Sequence, residues 1–180
     1  LSSNLSVATG STAKLDIGSN TVVFAGLQDV TGGATLQKEG GGTLKITSAV
    51  NAPNVNLTLP ANSGLLAVNG TVGNVTLGTG ARLGGTGRVG NANVGAGAFL
   101  APGNSPGTLY ATTLVLAPGS TFDWEVQNAT DQSNGFDKIN LTGNLDLSGV
   151  APGQKVTFRI ISRLGAGDGN QSGNPMNFDP

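Results

Sequence analysis

Asp123, Glu125, Asp131 and Asp137 form the densest run of carboxylates in the chain. A paired carboxylic acid and carboxylate is what cleavage of a glycosidic bond requires. Asp123 and Glu125 are two residues apart in a strand pattern, so they share one face, and Trp124 points to the other. A solvated strand face opposite an apolar one has the same spacing without any chemistry, and on that reading no catalytic residue is assigned. Histidine and cysteine are absent, which removes Ser-His-Asp triads, Cys-His pairs and metal sites built on imidazole. A polysaccharide lyase working with Lys, Arg and Asp needs basic and acidic groups stacked on one face. Arg82 and Arg88 are the only close basic pair in the middle of the chain.

Two other motifs have the letters of a binding site. Asp168, Asn170, Ser172 and Asp179 fill the oxygen-bearing positions 1, 3, 5 and 12 of a calcium loop, with Gly173 sixth. Pro175 inside that stretch, Asp rather than Glu at the twelfth position, and the lack of flanking helical patterns make a polar tail the better reading. Gly85-Thr-Gly87-Arg-Val-Gly90 matches a dinucleotide-binding glycine motif, whose chemistry needs a helix N-terminus to hold the pyrophosphate. Val89 and Val94 instead continue a strand pattern, so these glycines read as corners. No cofactor and no metal are expected.

The elements that must position these residues are short strands. Residues 70–83 and 87–100 match at eight of fourteen positions, from Gly70 and Gly87 to Leu83 and Leu100, at an offset of seventeen. Leu15, Leu36 and Leu57 lie twenty-one apart, as do Val23, Leu44 and Leu65. Apolar residues alternate with small polar ones in runs such as Thr43-Leu44-Lys45-Ile46, the period of a strand with one buried face. Gly, Asn, Pro and Ser end each run and supply turns. Helical spacing is nowhere sustained. With 30 Gly and only 4% aromatic residues, the core must be thin.

Net charge is −1 and the nine basic residues are scattered, which leaves no stripe for a phosphate backbone and no nucleic-acid partner. No apolar run is long enough to span a bilayer. A recurrence of about 17 to 22 residues with glycine corners predicts an all-β solenoid whose windings stack through parallel pairing, equivalent Val, Leu and Ile forming interior ladders. One solenoid is expected over 1–164, with regular narrow coils to about residue 118 and wider aromatic-containing coils over 119–164, some of them paired antiparallel. Residues 165–180 form the polar tail. Leu83, Leu100, Leu109, Phe122, Trp124 and Phe136 are the expected structural and folding residues. The chain opens on Leu1 rather than Met and reads as a fragment of a longer protein.

The order of motifs adds a resemblance. Gly80-Ala-Arg-Leu-Gly-Gly-Thr-Gly87, Leu100-Ala-Pro-Gly-Asn-Ser-Pro-Gly-Thr-Leu109, Leu116-Ala-Pro-Gly-Ser-Thr-Phe122 and Phe136-Asp-Lys-Ile139 resemble the autotransporter-associated β-strand repeat of bacterial passenger domains. That repeat, also called the passenger-associated transport repeat, occurs in PEP-CTERM-type surface proteins too. The likeness is strongest over residues 64–150. It implies a right-handed parallel β-helix at the cell surface or outside the cell, associated with the outer membrane, which acts structurally in secretion and in spacing adhesive parts. It carries over no catalytic residue. Implied partners are the rest of the parent chain, a C-terminal membrane barrel among the anchoring routes, a second copy stacked end to end, or surface glycans. Two alternatives stand beside it: a self-assembling extracellular fibre or surface-layer subunit, and a carbohydrate-active β-helix enzyme or binder.

Overall fold

The structure is a computed structural model, and it describes residues 5–163. Those residues contain no helix. Ten strands pair in one sheet: β1 (Thr12–Asp16), β3 (Ala34–Glu39), β5 (Asn51–Ala52), β6 (Val55–Leu59), β8 (Thr71–Val72), β9 (Val75–Leu77), β11 (Arg88–Val94), β13 (Thr108–Leu116), β15 (Lys138–Leu141) and β16 (Leu145–Asp146). Seven pair in the other: β2 (Thr21–Phe24), β4 (Thr43–Ile46), β7 (Leu65–Val68), β10 (Arg82–Gly85), β12 (Phe99–Pro102), β14 (Thr121–Val126) and β17 (Thr157–Ser162). The seven-stranded sheet runs in simple chain order from β2 to β17.

Every strand pair among the described residues is parallel, those after residue 118 included. The expected antiparallel pairing reduces to isolated bridges, one of them Val126 with Phe136. Consecutive antiparallel strands can be joined by a tight hairpin, whereas each strand here must leave the sheet and return. Partners lie seventeen residues apart at Arg82 and Phe99 and twenty-two apart at Thr21 and Thr43. The interval lengthens to thirty at Thr108 and Lys138 and to thirty-six at Thr121 and Thr157.

Alternating side chains from both sheets meet in one apolar cluster. In the seven-stranded sheet Val22, Leu44, Leu66, Leu83, Leu100, Phe122 and Phe158 stand in a single row, one per strand. In the other sheet Ala13, Leu36, Leu57, Val75, Ala92, Leu114 and Leu145 do the same. Burying each leucine contributes roughly 1.5–3 kcal/mol. The seventeen-residue repeat therefore places Leu83 against Leu100 as its spacing requires. The twenty-one-residue spacing does not hold throughout: Leu15 faces Lys38 and Val23 faces Lys45, because the first corners are one or two residues longer.

Two glycines of the dinucleotide-like motif, Gly85 and Gly87, turn the chain, whereas the expected corner at Gly90 lies within β11. Gly85 has φ of +102°, and a Cβ there would run into the backbone of Val68. A Cβ on Gly87 would strike the backbone of Gly70 one pass earlier. Strand β11 follows, with no helix to receive a phosphate.

Candidate functional site

Charged side chains converge where β14 passes beneath β17. Phe122 lies in the core, and alternation turns Asp123 to the opposite face of the sheet. The expected solvated acidic face is not what forms, since Asp123 is only 1% exposed. Arg159 on β17 donates from Nε to Oδ1 and from Nη2 to Oδ2, each at 2.7 Å. Arg82 on β10 reaches across β12 and donates to Oδ2 at 2.5 Å. Its guanidinium lies 4.9 Å from the ring centre of Phe99, and that of Arg159 lies 5.9 Å away. The bond to Asp123 raises the Arg159 pKa further.

Glu125 accepts from Arg163 Nη1 at 2.8 Å and from Ser105 Oγ at 2.6 Å. Ser105 belongs to the corner Pro102–Gly107, which a third carboxylate secures. Asp137 accepts from the backbone N–H of Gly107 at 2.9 Å and of Glu125 at 3.0 Å. Its own carbonyl accepts from Trp124 Nε1 at 2.7 Å. Asp137 is 2% exposed. Burial raises its pKa from 3.8 to about 7; the Glu125 and Gly107 amides pull the other way, as does Arg163, while the Glu125 charge pushes it up. Both oxygens of Asp123, Glu125 and Asp137 are thus occupied by protein donors.

Asp131 caps its own loop by accepting from Ser133 and Asn134, and the Ser133 hydroxyl leads the causes that lower its pKa. Among the described residues no three His, Cys, Asp or Glu side chains are grouped to hold a metal. The calcium-loop residues Asp168, Asn170, Ser172 and Asp179 lie outside the described residues.

The residues expected to stabilise the fold are placed as follows. Leu83, Leu100 and Leu109 are fully buried, and Phe122 nearly so. Trp124 and Phe136 are half-buried and pack together, ring centres 5.9 Å apart at 57°. Phe122 instead meets Phe158, at 5.3 Å.

Sequence spacing missed two buried cations, Arg163, which is 4% exposed, and Lys38. Lys38 is 0% exposed and donates from Nζ to the carbonyls of Gly40, at 2.8 Å, and of Ser63. Desolvation lowers its pKa, with Asp16 opposing. The signal was present in Ala34-Leu36-Lys38, where strand alternation sends all three the same way. Arg88, the other half of the basic pair noted in the sequence, stays apart from the cluster over the ring of Tyr110. Compared with protein-family models, curated proteins and solved structures, the chain has no significant match.

Proposed function

We propose that the chain is a non-catalytic structural segment of an exported bacterial surface protein: a right-handed β-solenoid stalk that supports secretion and spaces adhesive parts. The resemblance to the autotransporter-associated repeat suggests the family and the location. The observation that supports it most is the row from Val22 to Phe158, one apolar residue per strand over seven parallel strands. Windings that contact only their neighbours fold progressively, so a chain emerging from a pore gains stability before its last part arrives. The acidic groups at β14 fit that role, because each is engaged in tying passes together.

The test is display. The 180-residue chain, fused between an export signal and a surface anchor, should reach the bacterial surface as a protease-resistant segment. Leu100→Asp, which puts a charge at a fully buried position of the row, should be synthesised equally but displayed much less. Equal display of the two defeats the proposal.

One observation favours a second reading, end-to-end assembly. Among the described residues the two rows finish on exposed Phe158 (61%) and Leu145 (48%), and Ile160, two residues along β17, is 58% accessible. Unpaired strand edges bearing apolar groups promote association. Light scattering separates the two readings: filaments lost on Phe158→Ser with Ile160→Ser support assembly, and a wild-type monomer supports the stalk.

A further inference from the structure

A trough of about 750 Å³ lies on the outer face of the seven-stranded sheet. Its floor is a register row of small residues, Ala67, Gly84 and Ala101, with Lys45 continuing the row at one end. Passes stack about 4.8 Å apart, so the row from Lys45 to Ala101 is ~14 Å long. Thr43, Leu65 and Arg82 form the neighbouring register row along one side. Asn69, Asn104 and Ser105 line the trough as well, and Asn104 Nδ2 donates to Asn69 Oδ1 at 2.8 Å.

Charge is unevenly placed. The chain carries −1 overall. At this face two arginines share Asp123, and Arg163 matches Glu125. Three guanidiniums thus face the carboxylates of Asp123 and Glu125, the latter also lining the trough, while Lys45 is exposed and has no ion-pair partner among the described residues. Asp137, buried beneath and spent on backbone amides, is the remaining acid. The trough therefore offers cations to a ligand from Lys45 and from Arg82, whose side chain is 35% exposed.

We propose that this trough binds a linear acidic polysaccharide, the carboxylates of its uronic acid units meeting Lys45 and Arg82. Leu65 and the alanine floor suit the C–H faces of sugar rings, and Thr43, Asn69 and Asn104 offer hydrogen bonds to hydroxyls. Ligand sites of this size combine an apolar lining with a few placed polar groups. A nucleic-acid strand needs exposed aromatic platforms for its bases, and Phe99 already lies under two guanidiniums. A peptide strand needs a free sheet edge, and the trough lies on a face between paired strands.

Affinity electrophoresis of the intact chain through gels containing polygalacturonate, neutral dextran or single-stranded DNA tests this. Retardation by polygalacturonate alone is expected. Lys45→Gln, at an exposed position, should weaken it about fivefold. Ala101→Phe, which fills the floor, should abolish it while the circular dichroism spectrum stays that of wild type. Three results overturn the proposal: no retardation by polygalacturonate, equal retardation by dextran or DNA, or unchanged retardation of the folded Ala101→Phe protein.

Discussion

Asp137 holds the Pro102–Gly107 corner to β14 through two backbone amides, yet burial raises its pKa to about 7. The folded state therefore binds this proton more readily than the unfolded chain, whose aspartate titrates near 3.8. Stability from the group is fully present below pH ~3.8 and is lost as pH rises through about 7. The total is of order 4 kcal/mol. Asp137→Asn cannot titrate and leaves one amide facing an NH₂ group. Its unfolding free energy, from urea titrations at a series of pH values, should be flat from pH 4.5 to 7.5 while that of wild type falls. A parallel fall in both assigns the pH dependence elsewhere. Lys38 presents the complementary case of a cation serving carbonyls. Lys38→Ala deletes the donor to Gly40 and Ser63 and leaves a hole, at a cost of roughly 2–4 kcal/mol by chemical denaturation. Lys38→Met refills the volume and should recover part of that loss.

At the level of the strand, what matters is the rung. Leu83 and Leu100 sit side by side on β10 and β12, both fully buried. Truncating either to Ala should cost roughly 2–5 kcal/mol. Because the two share one cavity, the double variant should depart from additivity by roughly 0.5–3 kcal/mol in a double-mutant cycle. This rung was legible from the seventeen-residue repeat alone, since corners of equal length keep equivalent residues opposite each other. The earlier rungs were legible only approximately. One extra corner residue shifts the register by one and turns the opposite face inward, and so Val22 rather than Val23 meets Leu44; two extra residues keep the face but move the partner, and Ala13 rather than Leu15 meets Leu36. The carboxylates were the hardest to read. Their i, i+2 spacing correctly puts Asp123 and Glu125 on one face, but Arg82 and Arg159 lie 41 and 36 residues away. Only the longer later passes bring them to the same carboxylate, and nothing local announces that length.

Across the whole molecule, contacts run mainly between neighbouring passes, so local stability need not be uniform. The single Trp, at position 124, reports one end of the stack. Leu36→Ala, near the other end, should lower the denaturation midpoint seen by circular dichroism and leave the Trp124 fluorescence transition in place. Coincident shifts would instead mark one cooperative unit. The reach of Arg82 over β12 bears on how such a molecule carries load. Stretched from its C-terminal side, the chain loses β17 first, and Arg159 with it, but Asp123 is still moored to β10 two strands away. The tear is arrested there until a second tether breaks, so a pulling experiment should record a plateau at β14 that Arg82→Gln erases. Under the proposed stalk reading, a side chain that skips its nearest neighbour would supply a stop against unravelling under shear.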